Sequence, residues 1–531
     1  MRNNKEFKDL VNKKYKALNA KRTFNRRILI SSISCLLVCV LFVGVFFRND
    51  IRFEKGNEGN IGQDIIFDKD TPDNTKDSLQ ADKNNSEFSG ATSENVTDTE
   101  VSEPEFESDC ESSGIINEIT SSEPDEEVTE KPTPEPSYTI VPDDFPDITE
   151  TVNLLQFLSA NTPEFETSPF NDTTTRNGLA NFSFELFKNA YTSDKNNLLS
   201  PTSAIYTIAM LANGADGNTK DQLINTICGT DLNRLNEFMC EYRTLFGTGN
   251  GYNTHIDNSI WYDGSVTVDK NFLQTNYDYY GIEAYKTIFS SQEALDSING
   301  WVSDKTNGLI DKFADKIEKD VEMAIANTLY FEANWYGKLY SKENKSFTLE
   351  NGEQKTVTQM YGQCNTYVSN DNCTGFIYKY EDKYSFVTLL PNEDITVADL
   401  INSLNYTSFD ELLSNKKNGI TKFSFPKFQT DDEIELTTPL QKMGITDIFC
   451  GERANFSKMA MSQNGNLYTK SIKQVTNISV HEEGTLAAAA TIAWEGPDSL
   501  DYDVTIDRPF VYIIIDNTTN LPLFIGTVES F

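Results

Sequence analysis

The C-terminal part of the chain, residues 166–531, is predicted to be an α+β domain with helices first and strands later. Apolar residues in its first half recur every three or four positions, at Phe182, Leu186 and Phe187 and again at Ile205, Ile208, Ala209 and Ala212. The second of these sets follows Ser200-Pro201, a typical helix start. The later half contains strand-like runs at 324–331, 384–390, 421–425 and 476–480.

The last twenty-odd residues predict a β-hairpin. Two apolar runs, Phe510 to Ile515 and Leu521 to Val528, flank the turn-forming residues 516–520. No internal repeat interrupts the domain. The order of helices and strands therefore predicts one large mixed domain rather than a repeat architecture.

An uncharged run of twenty residues, Ile28 to Phe47, has the length of a membrane-spanning helix. Basic residues dominate 1–27, which predicts a cytoplasmic N-terminus and a domain outside the membrane. A cleaved signal peptide is the alternative. It fits less well, because the basic segment is long and Val45 to Arg48 offers no small-residue cleavage site.

Residues 48–165 are predicted to be an acidic, disordered linker. The hundred residues from Ile51 to Glu150 hold 28 acidic and 6 basic side chains, a net −22 of the chain's −36. Such a polar segment buries too little apolar surface to fold, so we expect a spacer; an acidic tail that binds a basic partner is the alternative. The acidic balance argues against nucleic acid as a partner.

Neither cysteines nor histidines predict a metal site or a cofactor. The chain has eight cysteines without C-x-x-C spacing, and its two histidines, His255 and His481, stand far from them. Cys228 with Cys240, and Cys364 with Cys373, could form local disulfides or remain free thiols. A serine hydrolase using either histidine is a rival function, but no G-x-S-x-G elbow accompanies them.

An alanine-rich connection, residues 482–500, separates the strand ending near His481 from the C-terminal strands. Alanine favours a helix. An isolated short helix without an amphipathic face is nevertheless marginal in water. The segment is therefore predicted to be an exposed loop that can adopt more than one conformation.

The order of several motifs resembles the serpin family over residues 166–531. The segment Glu482 to Thr491, Glu-Glu-Gly-Thr-Leu-Ala-Ala-Ala-Ala-Thr, is similar to the hinge of inhibitory serpins. Further similar segments are 197–203, 298–310, 326–335, 423–428, 442–445, 509–510 and 524–526. The resemblance implies a large central β-sheet, further sheets, about eight to nine helices and an exposed reactive-centre loop.

The resemblance also implies a mechanism. A target serine or cysteine endopeptidase attacks the loop and becomes acylated, and the cleaved loop then inserts into the main sheet as a new strand. Alternate side chains of that strand must fit beneath the sheet. The hinge residues implied for this role are Glu482, Glu483, Gly484, Thr485, Ala487, Ala488, Ala489, Ala490 and Thr491. Those on the inward face are small, which favours insertion over a non-inhibitory serpin that acts as a surface binding protein.

The family's spacing predicts Asp498-Ser499 as the bond that the protease attacks. Counting from the hinge glycine and counting back from Pro509-Phe510 both give Asp498. An acidic residue there suits a protease that cleaves after Asp. Trp494, Leu500 or Tyr502 would serve instead if the loop register differs.

Two further groups are implied by the resemblance. Ser200, Ser203 and Asn327 match the family's shutter beneath the main sheet, where Gln474 replaces the usual histidine. Trp335 matches the aromatic residue beneath the loop's insertion point, the breach. Helix capping by Ser200 and plain core packing of Trp335 are the structural alternatives. The expected protein is a monomer that is not an enzyme, whose partner is a target endopeptidase and whose membrane contact is the 28–47 segment.

Overall fold

The computed structural model describes residues 142, 145, 148–159, 161–381, 383–485 and 502–531. The predicted transmembrane segment at 28–47 and most of the predicted linker lie outside these residues, as does the loop from 486 to 501. Within the part described, no helix is long and apolar enough to cross a membrane.

Nine α-helices occur in the described residues, most of them before the central strands. They are α1 (Thr173–Ala190), α2 (Pro201–Gly214), α3 (Gly217–Ile227), α4 (Leu232–Arg243), α5 (Lys270–Tyr280), α6 (Gln292–Lys305), α7 (Val397–Ser403), α8 (Tyr406–Ser414) and α9 (Thr437–Lys442). Short 3-10 turns lie at Leu155–Phe157, Pro169–Asn171 and Asp447–Phe449. The predicted start of α2 is confirmed, since the Ser200 hydroxyl accepts a hydrogen bond from the Ser203 backbone N–H.

The described strands are numbered in chain order. They are β1 (Val152–Asn153), β2 (Leu198–Leu199), β3 (Gly247–Gly249), β4 (Tyr252–Asp263), β5 (Thr267–Val268), β6 (Glu283–Thr287), β7 (Met323–Asn334), β8 (Tyr340–Thr348), β9 (Gln354–Ser369), β10 (Cys373–Tyr380), β11 (Tyr384–Pro391), β12 (Lys417–Pro426), β13 (Phe428–Glu435), β14 (Ala460–Met461), β15 (Lys473–His481), β16 (Gly484–Thr485), β17 (Tyr502–Thr505), β18 (Phe510–Asp516) and β19 (Pro522–Val528). The predicted C-terminal hairpin is confirmed by the antiparallel pairing of β18 with β19.

Two large sheets organise these strands. The first has the order β1-β6-β4-β7-β16-β15-β13, with β3 paired to β4. The second has the order β17-β12-β9-β10-β11-β18-β19-β2, with β8 paired to β9. β5 and β14 form a two-stranded sheet. The mixture of nine described helices with these sheets confirms the predicted α+β class.

The first sheet is covered on both faces. On the inner face, Phe331 and Ala333 of β7 join the main hydrophobic core, to which α2 contributes most of its residues. On the outer face, Ala326 of β7 packs with Trp301 and Val302 of α6 in a separate small cluster. Odd-numbered β7 residues therefore face the core and even-numbered ones face outward, as strand geometry requires.

The folded region begins earlier than the predicted boundary at residue 166. Val152 pairs with Lys286 at the edge of the first sheet, and Leu154 is fully buried and donates its backbone N–H to Ala284. The prediction of a disordered linker up to 165 is thus wrong for residues 148–159. The composition of the long acidic stretch concealed a short segment whose apolar side chains find a place on the domain.

Candidate functional site

The hinge glycine and threonine form β16 and lie between two long strands of the first sheet. Gly484 pairs with Asn334 and Thr485 with Ala333 on β7. On the other side, Thr485 pairs with Val480 of β15. Both pairings are antiparallel, so β16 runs opposite in direction to β7 and β15.

Gly484 occupies a position that a side chain would block. Its φ is +150°, and a Cβ there would lie 2.2 Å from the Ala333 carbonyl oxygen. That oxygen belongs to the paired backbone and cannot move away without breaking the ladder. Glycine at this position is therefore required by the close approach of β7.

Thr485 faces the core. Its side chain is only 1% exposed, and its hydroxyl lies 2.8 Å from the hydroxyl of Tyr380 on β10. Burial raises the pKa of Tyr380 well above its ordinary value, so this phenol stays protonated. The sequence did not single out Tyr380, because the contact joins residues more than a hundred positions apart.

Trp335 lies directly beneath the hinge. Its indole N–H donates to the His481 carbonyl at 2.8 Å, and its backbone N–H donates to the Glu483 carbonyl at 3.1 Å. Its ring stacks on Tyr380 with 4.2 Å between the ring centroids. Trp335 thus ties both sides of the 481–484 turn to the core.

Charged groups hold the same turn from outside. The Glu482 carboxylate pairs with Lys427 at 2.9 Å, and its backbone carbonyl accepts from Leu339 N–H. Burial alone would raise the pKa of Glu482, but hydrogen bonds, chiefly from Lys427, hold it below the usual range. Burial and the nearby Lys427 lower the pKa of His481, so its imidazole is mainly neutral near pH 7.

Below β16 the two strands separate around a cavity of about 1050 Å³. In the described part of the chain, no strand pairs with β7 on this side below Ala333, nor with β15 below Val480. The inner wall is α2, through residues such as Ser203, Thr207 and Leu211. The space has the shape that a further strand would fill.

The predicted shutter residues lie around the middle of this cavity, but they do not form one network. Gln474 and Ser200 bond reciprocally: the Ser200 backbone N–H donates to the Gln474 amide oxygen at 2.8 Å, and the Gln474 amide donates to the Ser200 carbonyl at 2.9 Å. The Ser200 hydroxyl also donates to that of Ser203. Gln474 stands where the family usually has histidine. Its amide oxygen and its amide N–H are both paired, and neither bond depends on protonation.

Asn327 stands apart from that network, on β7 across the cavity. Its amide N–H donates to Asn258 at 2.6 Å. Its carbonyl oxygen is buried and has no hydrogen-bond partner among the residues described. A buried unpaired acceptor of this kind costs about 1–3 kcal/mol.

The lower end of the cavity is bridged by side chains. Lys470, just before β15, forms an ion pair with Asp320, just before β7. Glu322 accepts hydrogen bonds from the Ser462 hydroxyl at 2.7 Å and the Asn464 amide at 2.6 Å. Sequence patterns did not reveal these contacts, because each joins two loops with no local motif.

Other predicted positions have simpler outcomes. Cys228, Cys240, Cys364 and Cys373 are free thiols, so neither of the two local disulfides considered above is present. No group of three or more metal-ligating side chains comes together in the described part. Ala487, Ala488, Ala489, Ala490, Thr491, Asp498 and Ser499 lie outside the described residues.

Comparison with known proteins supports the same assignment. The profile for Serpin (serine protease inhibitor) matches residues 177–531. The chain belongs to the serpin family. It is 30% identical to an uncharacterized serpin-like protein of Methanosarcina acetivorans, over 66% of this chain and 84% of that protein. It is 28% identical to neuroserpin of Mus musculus, over 64% of this chain and 86% of that protein.

A solved structure agrees. The native state of the thermophilic serpin tengpin superposes with a TM-score of 0.68 at 35% identity, covering 72% of this chain and all of that one. The expected fold is therefore confirmed. Serpins are generally inhibitors whose partners are proteases, and this chain is accordingly an inhibitor-family protein rather than an enzyme.

Proposed function

We propose that this serpin inhibits a serine or cysteine endopeptidase as a suicide substrate, by inserting its cleaved loop between β7 and β15. The observation that carries the proposal is β16. Thr485 already occupies the first row of a strand whose remaining rows coincide with the cavity. The antiparallel pairing on both sides fixes the direction in which the loop would extend.

The register of β16 can be extended residue by residue. From Ala333 to Met323, β7 offers ten further residues, or ~33 Å of strand. Residues 486–495 match them in number. At a net ~0.5–1.5 kcal/mol for each hydrogen bond, a ladder of this length would favour insertion strongly. The inward positions after Thr485 are Ala487, Ala489, Thr491, Ala493 and Glu495, of which the first four are small.

The same register gives Thr491 a specific partner. Since Thr485 pairs with Ala333 and Val480, an inserted Thr491 would lie in the row between Asn327 and Gln474. Its hydroxyl could donate to the buried Asn327 oxygen that now has no partner among the described residues. Insertion would thereby satisfy a polar group that the present conformation leaves unpaired.

Asp498-Ser499 is proposed as the bait bond, with a protease that cleaves after Asp as the target. We expect such a protease to form an SDS-resistant complex with the wild-type serpin. Asp498→Ala should abolish the complex, while Asp503→Ala, on the exposed face of β17, should leave it intact. Cleavage of the wild-type serpin without any complex would instead support a non-inhibitory binding protein. Unchanged inhibition by the Asp498→Ala variant would mean that the protease attacks a different bond.

We propose further that the serpin domain is a monomer outside a cell membrane, anchored by residues 28–47. Val152, Lys286, Tyr262 and Met323 lie in one row across the first sheet, at the end opposite the hinge. Val152 thus joins the first sheet at its lower end, away from the hinge. Protease treatment of intact cells, followed by detection of the serpin domain, tests this placement.

A further inference from the structure

The connection between α6 and β7, residues 306–321, lies across the outer side of the cavity, and we call it the strap. Its residues Leu309, Ile310 and Phe313 line the cavity together with residues of β7, β15 and α2. Ile310, Phe313 and Ile317 also pack against the small cluster on the outer face of the first sheet. The lower half of the cavity therefore lies between α2 on the inner side and the strap on the outer side.

Hydrogen bonds fix the strap to α6. The Asn299 side-chain amide donates to the Ala314 carbonyl at 2.9 Å, and its amide oxygen accepts from the backbone N–H groups of Phe313 and Ala314, each at 2.9 Å. The Thr306 hydroxyl donates to the Val302 carbonyl at 2.8 Å. These bonds join neutral groups, so salt, which screens charges, leaves them largely unchanged. The strap and α6 thus form one unit on the β7 side of the gap.

Charged groups hold the strap on the β15 side. Asp320 forms an ion pair with Lys470, and the two side chains are 67% and 32% exposed. Lys312 and, more weakly, Lys473 at the start of β15 lower the pKa of Asp315, so a second strap carboxylate lies within reach of the charge on this strand. Exposed ion pairs are weak and are screened by salt. The strap is therefore attached by hydrogen bonds on one side and by ion pairs on the other.

The position of the strap obstructs the proposed insertion. A strand that enters between β7 and β15 must come from the outer side, because α2 and the core close the inner side. In the proposed mechanism the end of that strand carries an acylated protease, which is too large to be threaded beneath the strap. The strap must therefore lift away from β15 before the lower rows can form. Lifting leaves the Asn299 bonds in place and breaks the Lys470–Asp320 pair.

We propose that the strap is an ionic latch on the cavity: the Lys470–Asp320 pair holds it closed, and release of that pair is a step of loop insertion. The inference rests on the proposed function, because it needs the loop to insert. It adds a regulatory property, since the fraction of protease that is trapped should depend on ionic strength. A strap held on both sides by neutral hydrogen bonds would give no such dependence.

A reversible cross-link tests the lifting step, with the full chain and a protease that cleaves after Asp. Asp320→Cys and Lys470→Cys, joined by a cleavable bismaleimide, should give a protein whose loop is cut without an SDS-resistant complex. Cleaving the linker should restore the complex. The matched control joins Glu353→Cys to Lys355→Cys, an exposed pair away from the cavity lining, and should trap the protease throughout. Wild-type protein treated with the linker accounts for the native cysteines.

A salt series tests the ionic character of the latch. The measured quantity is the number of serpin molecules consumed for each protease trapped, at about 0.05 M and about 0.5 M NaCl. At the lower concentration, Lys470→Met should reduce this number relative to the wild type, by up to about fivefold for one exposed pair. At the higher concentration the two proteins should converge. Lys355→Met, which removes the pair with Glu353, should follow the wild type at both concentrations.

The outcomes separate the latch from the proposed function. A linked Asp320→Cys/Lys470→Cys protein that still forms the complex would overturn the latch. The same salt dependence in the wild type and in Lys470→Met would also overturn it. A wild-type protein that is cleaved but never traps the protease at either salt concentration would overturn the proposed function instead, so the two failures are distinguishable.

Discussion

The gap between β7 and β15 is closed in different ways at its two ends. At the upper end the backbone of Gly484 and Thr485 bonds to both strands. At the lower end, the contacts among the described residues are made by side chains, through the Asp320–Lys470 ion pair and the hydrogen bonds of Glu322. Exposed ion pairs contribute ~0–1 kcal/mol each. The first row of a new strand is therefore firmly in place, and only weak contacts lie in the path of the others.

The two sides of the gap differ as well. On the β15 side, Gln474 is fixed to the start of α2 by two buried hydrogen bonds. On the β7 side, Asn327 has a buried oxygen without a partner in the described structure. Among the described residues, the side-chain amide of Gln474 on the β15 wall is thus fully paired, whereas that of Asn327 on the β7 wall has one unpaired acceptor. We call these the satisfied wall and the incomplete wall. In the proposed mechanism, this asymmetry would allow a stable sheet to favour the addition of a strand.

Thr485→Arg is expected to have the largest effect, because it acts at the firm upper end. An arginine at this buried position would place an unpaired charge against Tyr380, at a cost of about 3–5 kcal/mol. We expect complete loss of the SDS-resistant complex, with the loop still cleaved. A gel assay with the target protease measures both products.

Leu486→Arg is the matched control for that variant. Strand alternation places residue 486 on the opposite face of an inserted strand, in the row of the half-buried Glu332. The Leu486→Arg variant should still trap the protease in an SDS-resistant complex. If Thr485→Arg still forms the complex, insertion at β16 is not the trapping step.

Gln474→Ala tests the satisfied wall of the cavity. It removes both bonds to Ser200 and leaves a buried backbone N–H unpaired, which should lower the free energy of unfolding by about 1–3 kcal/mol. Urea unfolding monitored by tryptophan fluorescence measures the change. Asn477 lies on the same strand as Gln474, and its side-chain amide donates a hydrogen bond to the exposed Asp431. Asn477→Ala should therefore lower the free energy of unfolding much less. Equal losses of unfolding free energy would mean that the Gln474–Ser200 hydrogen bonds contribute no more than the exposed Asn477–Asp431 bond.

Thr491→Val tests the incomplete wall. The substitution keeps the shape of the side chain but removes the hydroxyl that the register aims at Asn327. The cleaved form should lose about 1 kcal/mol of stability, whereas the intact form should be unchanged. Melting of both forms gives the comparison, and Thr491→Ser, which keeps the hydroxyl, should behave like the wild type. A Val variant with an unaltered cleaved form would show that Asn327 finds another partner.

The features that could be predicted from sequence are those carried by adjacent residues. The Ser200 cap and the buried strand through Asn327 each follow from a local pattern of cap or apolar residues. The hinge at Gly484 follows from the resemblance of its neighbouring residues to the serpin hinge. Tyr380 and Lys470 could not be found this way. Each matters because the fold brings it to a distant segment, and neither residue type is unusual in its own neighbourhood.

The pH response of the hinge is expected to be the smallest effect. Burial and Lys427 lower the pKa of His481, so the unfolded chain binds a proton there more tightly than the folded one. Its stability contribution is therefore present above the ordinary value of 6.5 and is lost as pH falls through that range. Because the ring is only half-buried, we expect a loss of less than about 1 kcal/mol between pH 7 and 5. His481→Gln should flatten this part of the stability profile, and since His255 is present in both proteins, their difference isolates His481. Identical profiles would mean that neither burial nor Lys427 changes the His481 pKa on folding.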